Sequence, residues 1–214
     1  MSFMAPPPKT PAADAPVKVD GRRLRSERTE RLIVEAYMAL VRERRQVPTA
    51  AQIAERAGYS VRSVFERFAD LDAIRVAAVD QAIAASLAQN LPIDVTADRA
   101  TRIRLQVEVR GRGCELWLPL WRVLNTDVGN SSELQNRIRA IRELIVVRIE
   151  TVFRQELSPL TDLERRKIVI ALDALVDFES WGRMRELYGL TFEEACNVWI
   201  HSVDRLLPPT PGAS

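Results

Sequence analysis

Between Thr49 and Phe68 the chain reads TAAQIAERAGYSVRSVFERF, and few local structures can satisfy it. Thr49 followed three residues later by Gln52 predicts a capping box, in which each side chain pairs with backbone groups left open at a helix start. Ile53 and Ala54 then fall on the inner face, with Ala54 small where two helices must cross. Gly58 has no Cβ and can take the positive φ that ends this first helix. Ser60 is placed to cap a second helix. Helical spacing turns Val64, Phe65 and Phe68 inward and leaves Val61, Arg62, Ser63 and Arg67 outside. Two short helices joined by a tight Ala57-Gly58 corner form a helix-turn-helix, whose outer side is what a major groove meets. An ordinary corner between two helices of an all-α protein is the plainer reading, and the neighbouring sequence has to decide between them.

That neighbourhood is basic. Residues 1–70 carry 13 Lys and Arg against 9 Asp and Glu, whereas residues 71–214 carry 18 against 20. The surplus lies with the helix-turn-helix and is compatible with phosphate attraction. Immediately upstream, Leu32, Ile33, Ala36, Leu40 and Val41 recur at helical spacing behind Arg22, Arg23, Arg25 and Arg28. A basic lead-in of this kind can reach a phosphate or a minor groove, or can simply solvate a helix start. Residues 1–20 hold five prolines and are expected to form a flexible arm.

Behind the helix-turn-helix the pattern is helical throughout. Asp70 can cap a helix running to about Gln89 and ended by Pro92, and another is expected from about Asp98 to Arg112. Gly111 and Gly113 are expected to interrupt that helix as a corner before CELWLPLWRVLN. They cannot serve a dinucleotide loop, since no β-branched strand precedes them. Ser132 with Gln135 predicts the start of a helix of about 25 residues with Leu134, Ile138, Ile141, Ile145, Ile149 and Val152 on one stripe. Thr161 with Glu164 opens an apolar stretch reaching Leu187, and Thr191 with Glu194 opens the last helix. No segment reads as a strand. The expected fold is all-α with about nine helices: an arm over 1–20, a three-helix head over 21–69, a helical bundle over 70–207, and a disordered tail over 208–214.

Over residues 24–76 the sequence resembles the TetR family of transcriptional regulators. The resemblance is carried by Ile53, Ala54, Ala57, Gly58, Tyr59, Ser60, Ser63, Val64, Phe65, Phe68, Leu71 and Ile74, which follow the family's IA..AGVS..TLY.HF..KE.L pattern. It implies a homodimer paired mainly through the last two helices, bound to duplex DNA and carrying a small-molecule pocket in each bundle. Three departures stand out. Phe65 replaces a tyrosine whose hydroxyl commonly meets a phosphate, Leu71 replaces a lysine, and the loop Arg45-Gln46-Val47-Pro48 is short and lacks the customary glycine.

Arg62 is the residue best suited to read a base, because a guanidinium can bond guanine O6 and N7 together; Ser63 and the Val61 methyls can add polar and thymine contacts. Thr49, Ser60 and Arg67, with Arg22, Arg23 and Arg25, suit phosphates, and Phe65 belongs to the same DNA-facing set. Candidate pocket residues are Trp117, Trp121, Phe153, Asp173, Asp177, Phe178 and Trp181. Candidate dimer contacts are Met184, Cys196, Trp199, Val203 and Leu206.

One histidine, His201, and two distant cysteines, Cys114 and Cys196, offer no metal spacing, and no cofactor is expected. The cysteines read as reduced, partly buried thiols. No nucleophile elbow or carboxylate cluster points to an enzyme. No apolar run approaches the roughly 18 to 20 residues that cross a bilayer, and the expected location is the cytoplasm. A helical-bundle carrier, or an interaction protein with little DNA affinity, is the competing reading.

Overall fold

The computed structural model describes residues 21–89, 93–126 and 131–212. The proline-rich arm, Pro92 and the last two residues lie outside them. Ten α-helices follow one another among the described residues: α1 Gly21–Arg44, α2 Ala50–Ala57, α3 Val61–Phe65, α4 Leu71–Gln89, α5 Arg99–Asn125, α6 Ser132–Val152, α7 Arg154–Leu157, α8 Asp162–Leu175, α9 Phe178–Gly182 and α10 Phe192–Leu206. Arg183–Leu187 continues α9 as a short π-helix.

The head is built around α1. Its inner stripe, Ile33, Ala36, Tyr37, Leu40 and Val41, meets Ile53 and Ala54 of α2 and Val64 of α3, all buried. The same cluster continues through Ile74, Ala78 and Val79 of α4 into Leu120, Val123 and Leu124 of α5 and Leu134 of α6. Head and bundle therefore share apolar core. A second cluster fills the bundle, where Trp181 and Trp199, both fully buried, stand 4.9 Å apart between ring centroids. Cys114 and Cys196 are buried there, more deeply than expected, and burial pushes each thiol up to about 11. Such thiols stay protonated and inert at neutral pH.

Four sequence expectations need correction. Gly111 and Gly113 do not interrupt a helix, because α5 runs unbroken from Arg99 to Asn125 and even contains Pro119. Its buried side chains include Leu118, Leu120, Trp121, Val123 and Leu124, and packing of that many outweighs weak local propensity. Helix α6 begins one residue early, with the Ser131 hydroxyl accepting from the Leu134 N–H, and ends at Val152. The stretch from Thr161 to Leu187 is broken at Val176, where Asp177 caps α9 by accepting from the Glu179 N–H at 2.8 Å. Finally, residues 208–210 are docked. The Pro208 carbonyl accepts from Arg99 at 2.5 Å and the Thr210 hydroxyl donates to buried Glu156 at 2.5 Å.

That docking site contains an ion pair with no exposed surface. Arg102 donates to both carboxylate oxygens of Glu156, at 2.8 and 2.5 Å, and to the carbonyls of Ala97 and Val152. Burial alone would raise the Glu156 carboxyl, but hydrogen bonds from Arg102 and Thr210 outweigh it and hold it below its ordinary value. The pair ties the start of α5 to α7 and the C-terminal segment.

Candidate functional site

The helix-turn-helix has the local geometry its residues require. The Thr49–Gln52 capping box is complete, Gly58 sits at φ 75°, and the Ser60 hydroxyl accepts from the Ser63 N–H. The Tyr59 hydroxyl is met by Thr29 of α1 at 3.4 Å, and Arg56 grips Glu43 through two bonds, so the corner is held against α1 from both ends. Arg45 takes φ 53°, the left-handed region, which explains how the short loop turns without a glycine.

On α3, Val61, Arg62 and Phe65 are exposed, as is Arg67 in the turn that follows, and Ser63 is half-buried, its hydroxyl 2.9 Å from that of Ser60. Arg62 is 88% exposed and, among the described residues, bonded only to Glu66 one turn on, at 3.0 Å. Phe65 does not face inward: Val64 fills the core position of this short helix, and its neighbour, about 100° round the axis, is 45% exposed. This puts Phe65 on the same outer surface as Arg62. Thr49, Ser60, Arg23 and Arg25 are also exposed, Arg23 being paired with Glu27 at 2.8 Å; the side chain of Arg22 lies outside the described residues.

Within the bundle, α4, α5 and α6, with Phe178 of α9, line a cavity of about 150 Å³. Of the candidate pocket residues, Trp117, Trp121 and Phe178 line this cavity; Trp121 and Phe178 stack at 4.8 Å. The other four candidates do not. Phe153 is packed in the core, Trp181 is buried with its indole N–H on Glu115 at 2.6 Å, and Asp177 is occupied as the α9 cap. Asp173 lies at a separate surface cleft, where burial raises its carboxyl against the opposing pull of Arg110 and Arg142.

The cavity's polar residues, Gln106, Arg110 and Arg148, escaped the sequence reading. A signal existed, since Gln106, Arg110, Gly113 and Trp117 follow helical spacing on α5, but it becomes meaningful only once α5 is one helix. Two contacts lead from this region to the head. The Arg42 guanidinium lies 5.8 Å from the centroid of Trp117, and Arg45 meets Glu186 of the π-helix at 3.1 Å, which in turn binds Arg122 of α5 at 2.7 Å.

Of the five candidate dimer contacts, Met184, Cys196, Trp199 and Val203 are buried in the chain's own bundle and present no side chain to a partner. Their apolar character belongs to the core stripe of α10 and the turn before it. Leu206 is exposed, as are Leu163, Ile170 and Val198, on the outer sides of α8 and α10.

The fold has solved counterparts. A transcriptional regulator from Rhodococcus sp. RHA1 matches with a TM-score of 0.63 at 17% identity, covering 87% of this chain and 99% of that one. A Rhodococcus protein described as a TetR-family transcriptional regulator matches at 0.62 and 18% identity, over 84% and 98%. The fold is that of the TetR-type regulators. A transcriptional regulator from Pseudomonas aeruginosa PAO1 gives 0.60 at 20% identity, over 88% and 96%. No protein-family model and no curated protein matches the sequence. In this TetR-type fold the described residues include no helix long and apolar enough to cross a membrane and no group of three potential metal ligands.

Proposed function

We propose that the protein is a transcriptional regulator that binds duplex DNA as a homodimer through α3 and leaves it when a small molecule occupies the bundle cavity. The observation that carries this reading is the division of α3 into a buried Val64 and an outward set of Val61, Arg62 and Phe65, with Arg67 exposed in the turn that follows. A helix anchored in this way can enter a major groove without disturbing the core. Arg62 reads a base, its exposed bond to Glu66 being cheap to exchange for guanine. Thr49, Ser60 and Arg67 hold phosphates, and Arg23 and Arg25 add charge at the start of α1.

The dimer places two such helices about 34 to 36 Å apart, one turn of DNA. The exposed Leu163 and Ile170 of α8 with Val198 and Leu206 of α10 supply its apolar face, since Met184, Cys196, Trp199 and Val203 are buried in the bundle. Coupling follows from the cavity's walls. Helix α4 contributes Val79, Ala82, Ile83, Ser86 and Leu87 to the cavity, while Ile74 at its other end is packed in the head core. A ligand that fits one setting of α4 better than another shifts the population away from the DNA-competent spacing. Repression is the expected outcome.

Binding to random duplex DNA measured against salt tests the first step. Affinity falling steeply with ionic strength supports the reading; negligible binding at every salt concentration would favour a carrier or interaction protein. Arg62→Ala should then erase preference for an operator selected from a random duplex library while leaving thermal stability within about 0.5 kcal/mol.

A further inference from the structure

The cavity carries a charge pattern of its own. Its described lining includes two arginines, Arg110 and Arg148, and an amide, Gln106, but among the described residues no aspartate or glutamate, and the remainder is apolar apart from Ser86 and Gly113. Arg110 is already engaged: its Nε donates to the Val176 carbonyl at 2.8 Å, its guanidinium lies 4.5 Å from the Phe178 centroid, and Asp173 stands close enough to feel its charge. Arg148 differs. Its Nε donates to Gln106 Oε1 at 2.8 Å, while its Nη2 is buried with no hydrogen-bond partner among the described residues. Burial lowers its pKa, and no carboxylate offsets that pull.

A half-buried guanidinium with one nitrogen buried and unpartnered among the described residues is costly without a counter-charge, and its best complement is a carboxylate that accepts from it. The rest of the lining suits an apolar body, with Trp117 and Trp121 on α5 and Ile141 and Ile145 on the Arg148 face of α6. Gly113 widens the space. A Cβ built there meets nothing within 4 Å, so the residue leaves room that any larger side chain would occupy. Leu87 and Leu144, both lining residues and both exposed, mark the mouth.

We infer that the cavity takes an organic monoanion, an apolar aliphatic or aromatic body ending in one carboxylate, with the carboxylate on Arg148 and the body against Trp117 and Trp121. This inference rests on the reading of the cavity as the effector site and adds the ligand's chemical class.

The test uses three probes of one chain length, octanoate, octan-1-ol and octyltrimethylammonium, titrated at pH 7.5 into the full-length protein by calorimetry and tryptophan fluorescence. Octanoate is expected to bind at least tenfold more tightly than the alcohol, and the cation more weakly than either. Arg148→Met should remove the preference for octanoate while leaving octan-1-ol within about twofold, and Arg148→Lys should retain part of the preference; should R148M not fold by circular dichroism, R148Q carries the same comparison. The exposed control Arg104→Met should change nothing. Equal binding of all three probes, or a carboxylate preference surviving R148M and R148Q, would overturn the anion class while leaving the cavity reading intact. Failure of every probe to bind the wild-type protein would overturn both. Gly113→Leu should abolish binding of octanoate and octan-1-ol together.

Discussion

Two glycines two residues apart in α5 should respond oppositely to the same substitution. Glycine in a helix interior costs about 0.8 to 1.0 kcal/mol relative to alanine, so Gly113→Ala, whose new Cβ meets nothing within 4 Å, should stabilise the protein by about that amount. At Gly111 the same gain is opposed by contact. A Cβ there would lie 2.9 Å from Trp181 Cη2, 3.0 Å from Cζ3 and 3.4 Å from the Cys196 sulfur. The ring cannot easily retreat, since Trp181 is fully buried, bonded to Glu115 at 2.6 Å, and packed on Trp199 and Phe192. Overpacking of this kind costs about 1 to 3 kcal/mol, which leaves Gly111→Ala between neutral and about 2 kcal/mol destabilised. For a domain of this size 1 kcal/mol moves the melting temperature by about 2 to 4 °C. Thermal and urea unfolding at fixed protein concentration should therefore raise Tm by about 2 to 4 °C for G113A and leave it unchanged or lower it for G111A. Equal stabilisation of the two variants would refute the claim that α5 approaches Trp181 closely at Gly111.

Removing one side of the fully buried Arg102–Glu156 pair, as in Arg102→Met, should cost about 3 to 5 kcal/mol in chemical denaturation, and the double variant R102M/E156L should cost less; a single-variant loss below about 1 kcal/mol would show that the pair is dispensable. Because the folded Glu156 carboxyl lies below its unfolded value of 4.5, its contribution is complete well above that pH and is lost as the pH falls through the folded value, so stability measured by urea titration should drop more steeply with acid in the wild type than in E156Q. Arg45→Gly should relieve the positive φ and stabilise the head by about 1 kcal/mol, less a small exposed ion pair to Glu186; a destabilised variant would place that contact above the backbone term. If the proposed dimer forms through α8 and α10, Ile170→Asp should reduce its size in analytical ultracentrifugation to that of a monomer, with Met184 and Trp199 untouched; an unchanged dimer would move the interface away from α8 and α10.

Signals that act over one helical turn were legible in the residues alone. Thr49, Ser60, Thr161 and Thr191 each cap a helix where the spacing to the next residues requires, and Gly58 turns left-handed where only a residue without Cβ does so freely. Such signals need nothing from distant chain. The breaks were read less well. Gly111, Gly113 and Pro119 oppose a helix locally, yet α5 persists because its neighbours bury most of one side; Asp177 reads as a candidate ligand contact until Val176 is drawn to Arg110 and the carboxylate is consumed as a cap.

Capping boxes, apolar period and the head's basic surplus are properties of neighbours along the chain, so the all-helical fold and the helix-turn-helix were determined by sequence alone. Which apolar side chains are core and which are surface was decided only by tertiary packing. Trp199 and Ile170 are both apolar residues on amphipathic helices, but one is enclosed by Trp181 and the other faces out, because burial depends on what a third element brings alongside. The same holds for Arg148, one arginine among many until α4 and α5 close around it and leave one of its nitrogens without a partner among the described residues.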